Sequence, residues 1–136
     1  MTLQLIPLPY DKLEASRNVW LPFVKGIAER QGCHVEQRLA DIYSGNVGII
    51  LVWDAEAKQA RGLCGYSVLD RGGSPAAKLV WLTGRRSELV SLYDQLENYF
   101  RRQGCVRMVA LARPGWSKDL KRWGYRLTHV EYEKAL

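Results

Sequence analysis

The stretch "AKLVWLTGRRSELVSLYDQLENYFRRQGCVRMVALA", Ala77 to Ala112, decides the fold. Its first part, Ala77–Gly84, is short, apolar and rich in β-formers, which predicts a strand. The period then changes. Leu89, Leu92, Tyr93, Leu96 and Phe100 fall on one stripe at helical spacing, predicting a helix over Ser87–Gln103. Ser87 is the expected N-cap and Glu88 suits the positive end of the helix dipole. Arg101 and Arg102 suit the negative end, and Gly104 is the expected stop. Cys105–Ala112 returns to period two, with Val106, Met108, Ala110 and Ala112 on one face. Strand, helix and strand in this order predict a right-handed parallel crossover.

Working outward, the segment before this unit reads as a meander. Asn46–Asp54 is a near-continuous apolar run, expected as a strand buried on both faces. "AEAKQA" is a hairpin loop, Arg61–Asp70 pairs back, and "RGGSP" turns into Ala77–Gly84. Upstream, "LQLIPL" (Leu3–Leu8) is a first strand closed by Pro7 and Pro9. Leu13, Trp20, Val24 and Ile27 then share a helical face. Pro22 interrupts that face and is expected in the first turn of a second short helix, with Gly32 ending the run. Val35, Leu39, Ile42 and Tyr43 define a further helix, which His34 opens. Downstream, "RPG" breaks the chain, and "WSKDLKRWG" is a short helix with Trp116, Leu120 and Trp123 on one side. "YRLTHVEYEKAL" (Tyr125–Leu136) alternates as a last strand. The order β-α-α-β-β-β-α-β-α-β predicts an α/β fold, a mixed sheet with helices on both faces.

Composition narrows the class. The 136 residues imply a single domain over 1–136, and 47% hydrophobic with 25% charged residues exclude a disordered chain. No apolar run is long enough to span a membrane, and the N-terminus lacks the pattern of a signal peptide. A cytoplasmic location is expected. Cys33, Cys64 and Cys105 are scattered and odd in number, so neither a disulfide framework nor a metal site is indicated, and buried packing is their expected role.

The charge of +6 is local. Arg101–Arg126 holds eight cations against Asp119 alone, leaving the rest of the chain at −1. This points to a local anionic partner. Nucleic acid is the less favoured partner, because the cations spread over several expected elements and no nucleic-acid motif is present. Five tryptophans in so short a chain also admit a protein interface, such as a homo-oligomer.

The element order, with "LYDQLENYFRRQGCVRMVALA" as central helix, glycine stop and strand, and "LKRWGYR" as closing helix, resembles the Gcn5-related N-acetyltransferase (GNAT) superfamily. The resemblance covers essentially the whole chain. The ending "RPGW…LKRWGYRLTHVEYEKAL" also resembles small phage and prophage proteins of this fold, which implies a phage protein partner as the alternative to catalysis. The GNAT resemblance implies transfer of an acetyl or acyl group from acetyl-CoA, or another acyl-CoA, to an amine or protein acceptor. It places the cofactor between Ala77–Gly84 and Cys105–Ala112, with Leu82, Thr83, Gly84, Arg85, Arg86, Ser87 and Arg113 as cofactor-binding candidates. The family's loop carries two glycines; "LTGRRSEL" has only Gly84. The family's catalytic tyrosine position is Leu120 here, and neither flanking strand holds an acid. The substitutes are Tyr66 and Tyr125, with Asp70 and His129 behind them.

Overall fold

Five strands form one mixed sheet in the order in which they occur along the chain. β1 (Leu3–Leu8), β2 (Gly48–Asp54), β3 (Gln59–Asp70) and β4 (Pro75–Thr83) run antiparallel to their neighbours. β5 (Arg107–Ala110) joins β4 in parallel, as expected from the sequence. The computed structural model describes residues 2–70, 72–112 and 114–136, with the side chain of Pro114 excepted. Among these residues no helix is long and apolar enough to cross a membrane.

β2 is buried on both faces because each face meets a different helical layer. Ile49 and Leu51 pack with Leu63 and Trp81 against α1 (Arg17–Gln31) and α2 (Val35–Tyr43), which contribute Trp20, Val24, Ile27 and Ile42. Ile50 and Val52 point the other way, to α3 (Arg86–Ser91) and α4 (Tyr93–Arg102), which contribute Leu89, Leu92, Leu96 and Phe100. The buried Trp20 indole satisfies its N–H on the Leu13 carbonyl at 3.0 Å. Cys64 and Cys105 are buried, as expected, while Cys33 is only half-buried.

The structure corrects the sequence reading at five places. Pro7 lies inside β1 opposite Ile50, a position that an edge strand tolerates. Pro22 does not begin a second helix. It is the sixth residue of one continuous α1, with its ring exposed, while Trp20, Val24, Ile27 and Ala28 bury the opposite side and hold both halves together. The predicted helix Ser87–Gln103 is two helices that meet at Leu92. The Ser91 hydroxyl donates to the Glu88 carbonyl at 2.6 Å, taking the acceptor that Leu92 N–H would use in a regular helix. Leu92 N–H bonds Leu89 one residue short instead, at 3.1 Å. Arg85, not Ser87, is the N-cap, and no side chain caps α3.

The fifth correction is at the C-terminus. The strand expected over Tyr125–Leu136 is not formed, and residues 126–136 beyond α5 (Ser117–Arg122) are exposed and do not pair with the sheet. Alternation makes a segment able to pair, but a strand forms only where a partner edge supplies its hydrogen bonds. The preceding strand is also short, Arg107–Ala110 in place of Cys105–Ala112, and Val106 and Leu111 on either side of it are exposed.

Candidate active site

β4 and β5 part beyond Leu79 and Ala110. Their register runs from Ala76 opposite Arg107 to Leu79 opposite Ala110, and Leu111 N–H closes it on the Leu79 carbonyl at 3.1 Å. β4 continues to Thr83 paired with β3 alone. At the parting point β4 carries a bulge: Tyr66 is opposite Leu79 and Gly65 is opposite Trp81, so Val80 is an extra residue. A bulge disrupts the ladder and redirects the strand. Main-chain groups on the β5 side of β4 beyond Leu79 therefore have no strand partner among the described residues. No sequence signal marked this bulge; its origin is a register shift that only pairing reveals.

The end of β4 turns sharply into α3. Gly84 has φ +139°, a conformation that side chains rarely adopt, and an added Cβ would stand 3.0 Å from the Arg61 carbonyl. Glu88 and Leu89 N–H both bond the Arg85 carbonyl, leaving the Arg86 and Ser87 N–H groups at the open end of the helix. Arg85 and Ser87 are exposed, and Leu82 and Thr83 are half-buried. Arg113 lies outside the described residues. Leu82, Thr83, Gly84, Arg85, Arg86 and Ser87 thus follow one another from the end of β4 into the first turn of α3.

Arg86 is not free. Its guanidinium donates to the Asp119 carboxylate of α5, with Nε at 2.8 Å, and to the Gly115 carbonyl at 3.0 Å. It also lies over the Trp116 ring, 5.1 Å from the centroid. The one acid of the basic run is therefore the anchor that ties the closing helix to the start of α3. Beneath it Trp123 stacks on Tyr93 at 4.0 Å and 8°, and Tyr125 meets Tyr93 edge-on at 5.8 Å. Trp116 and Trp123 close an apolar cavity of about 20 Å³, also lined by Leu82, Leu92, Tyr93 and Leu96. That is room for about one water-sized group.

The two tyrosine candidates are not brought together. Tyr66 is half-buried on β3, edge-on to Phe100 of α4, and its ring leans away from β4 over Gly48 of β2, where it borders a polar groove of about 410 Å³. Burial pushes its hydroxyl up to about 12. The Tyr125 hydroxyl is buried without a hydrogen-bond partner, and burial raises it too. Both stay protonated near neutral pH, so either is a donor and neither is a base. Asp70 is at the far end of β3, where it accepts from Gly73 N–H at 2.8 Å, and His129 lies in the exposed tail. Glu88, which the sequence reading treated only as dipole-compatible, is buried in the first turn of α3 with Oε2 unpartnered. Among the described residues no three His, Cys, Asp or Glu side chains gather as a metal site would require.

No protein-family model matches the chain. No curated protein matches it either. Solved structures do. An acetyltransferase from Trypanosoma brucei is similar over 99% of this chain and 100% of that one, at 14% identity and a TM-score of 0.66. An aminoglycoside acetyltransferase from an uncultured soil metagenomic sample, solved with trehalose, is similar over 98% and 96%, at 13% identity and a TM-score of 0.69. A predicted acetyltransferase from Clostridium acetobutylicum, solved with acetyl-CoA, is similar over 98% and 96%, at 8% identity and a TM-score of 0.65. The chain therefore shares the fold of these acetyltransferases.

Proposed function

We propose that this chain is a GNAT-type acyltransferase that moves an acetyl or other acyl group from an acyl-CoA to an amine. One observation carries the reading: the parallel strands β4 and β5 part at Leu79 and Ala110, beside a bulge at Val80. The parting leaves main-chain donors and acceptors on one wall of a cleft, which suits an amide-rich, extended cofactor arm. At the mouth, the Arg86 and Ser87 N–H groups with Gly84, Leu82, Thr83 and Arg85 would hold the pyrophosphate, and Arg113 would add a cation. When bound, acyl-CoA supplies an activated thioester. The chain supplies position. Strand N–H groups beside Val80 would orient and polarise the acyl oxygen, a neutral amine would form the new C–N bond as the C–S bond breaks without a strong base, and the nitrogen's surplus proton would leave to solvent, from which the donor tyrosine is reprotonated. Tyr125, or less directly Tyr66, supplies a proton to the departing sulfur.

The test is thermal. A ligand that binds only the native state stabilises it, by about 2.7 kcal/mol at a hundredfold excess over Kd. Millimolar acetyl-CoA is expected to raise Tm, and Gly84→Val to abolish the rise. An unchanged Tm with acetyl-CoA, propionyl-CoA and CoA itself would remove the reading.

The second reading is a non-catalytic protein of this fold that works through contacts, as the likeness of its ending to phage proteins implies. The pairing of Arg86 with Asp119 favours it, because it commits a cation that a phosphate would need. Asp119→Asn separates the two. It frees Arg86 and is expected to tighten CoA binding under the first reading and to leave it absent under the second.

A further inference from the structure

Past α5 the chain turns back once before it leaves the fold. Gly124 takes φ +89°, and Tyr125 N–H bonds the Leu120 carbonyl at 3.0 Å, which holds Tyr125 against α5 while residues 126–136 are exposed. The Tyr125 ring meets Tyr93 of α4 edge-on, at 5.8 Å and 68°. Tyr93 is fixed in turn, because it stacks on Trp123 at 4.0 Å and is 5% exposed. Both hydroxyls are buried, and no other group satisfies either one. Two orphan phenols side by side have each other as the remaining partner, and burial decides the direction. The deeper one resists ionisation more, so it keeps its proton and donates, and the shallower one accepts. Tyr93 is the deeper, since Tyr125 is only half-buried. Burial raises both phenols; contact with Tyr125 raises Tyr93 further, whereas contact with Tyr93 lowers Tyr125.

We infer that Tyr93 is a positioning residue: it donates its hydroxyl to the Tyr125 oxygen and stabilises the negative charge that Tyr125 takes on in giving up its proton. The inference rests on the reading that Tyr125 protonates the departing sulfur. In that step Tyr125 gives its proton to the sulfur as the C–S bond breaks, is left a phenolate, and regains a proton from solvent. A hydrogen bond to the developing charge favours that phenolate. The other groups near Tyr125 do not. Glu97 of α4 is an acid already paired with Arg101 at 3.3 Å, and its charge opposes a phenolate. The Cys64 thiol of β3 is buried, is pushed up to about 12 and turns to the Gly65 carbonyl. That leaves Tyr93 as the donor among the described neighbours of the Tyr125 hydroxyl. The two oxygens stand short of bonding geometry, as is common among reacting groups before substrate is in place.

Ionisation of Tyr125 itself is the test. Fluorotyrosine in place of Tyr125 titrates below ordinary tyrosine, and its fluorine resonance follows that one phenol. Tyr93→Phe keeps the stack on Trp123 and removes an unpartnered hydroxyl, so the fold is expected to hold. It is expected to raise the Tyr125 midpoint by about one pH unit, the effect of one hydrogen bond to a charged group. Should that variant unfold, fluorotyrosine in place of Tyr93 as well makes a stronger donor of nearly the same shape and is expected to lower the midpoint instead. A midpoint that stays put or moves the other way overturns the proposal. Turnover gives a second arm, with acetyl-CoA and hydroxylamine as the neutral amine, read as release of CoA. Tyr93→Phe is expected to lower kcat about tenfold with KM unchanged, and Tyr125→Phe about a hundredfold. Added to Tyr125→Phe, Tyr93→Phe is expected to change kcat no further. A second tenfold loss there means that Tyr93 acts on its own, which also overturns the proposal. The titration needs no acyl-CoA. A raised midpoint in a chain that releases no CoA removes the catalytic reading and leaves the pair; an unmoved midpoint in an active chain removes the pair and leaves the reading.

Discussion

Tyr66 owes its place to a residue with no side chain. A Cβ on Gly48 would stand 2.6 Å from the Tyr66 Cζ and 2.8 Å from its hydroxyl, so the ring lies where only glycine leaves room. Gly48→Ala forces the ring to move against Phe100 and is expected to cost about 1–3 kcal/mol, the usual range for overpacking. Urea unfolding with an unchanged m-value would show it, and a loss below about half a kcal/mol would mean that Tyr66 is free to swing. At this scale the sequence was partly legible. Gly84 stood out as the one glycine left in the family's loop pattern, whereas its close approach to the Arg61 carbonyl is visible only in the fold. Ser87 looked like an N-cap by residue type, but β4 ends at Thr83 and Gly84 alone makes the turn, which places Arg85 there, two residues earlier. The Gly48–Tyr66 contact had no local signal, because it joins residues on different strands.

Periodic burial made most elements readable, and local hydrogen-bond competition accounts for where they broke unexpectedly. The stripe Leu89, Leu92, Leu96 and Phe100 is continuous across α3 and α4, so nothing in the apolar pattern announced the break that Ser91 makes. Pro22 erred the other way. It carries a strong stop signal, and the packing of Trp20, Val24 and Ile27 overrode it. That override has a measurable cost. Pro22 has no N–H for the Asn18 carbonyl and its ring is exposed, so Pro22→Ala restores a helical bond without emptying the core. The gain, about 3 kcal/mol in propensity less about 1 for the freer unfolded chain, is expected to leave the variant about 1–2 kcal/mol more stable. A variant less stable than wild type would show that the proline sets a bend that α1 needs. The tail was the least legible element, because its state depends on an edge and not on its own pattern.

Across the molecule, topology redistributes what the sequence presents as one basic segment. Arg102 and Arg107 sit where β5 starts, opposite the Pro75 end of β4, while Lys118, Lys121 and Arg122 belong to the helix tied to the start of α3 at the other end of β4. A continuous polyanion track is therefore not what the fold builds. Tyr66, Tyr93 and Tyr125 all lie on the α3–α4 side, and burial raises all three above the ordinary value of 10.0, Tyr66 to about 12. A phenol whose folded pKa exceeds its unfolded one is favoured in its protonated state. The stability this confers is complete below pH 10 and is lost as pH climbs through the folded values. Tyr10 and Tyr132, by contrast, are 67% and 92% exposed. Absorbance titration is accordingly expected to leave Tyr66, Tyr93 and Tyr125 protonated above pH 10, with Tyr66 ionising only near 12. Hydrogen exchange over the same interval is expected to accelerate in α4 before the β2–β3 core. A single titration near pH 10 covering all seven tyrosines, with the fold intact, would show that the layer over the cleft is open to solvent rather than closed by Trp116 and Trp123.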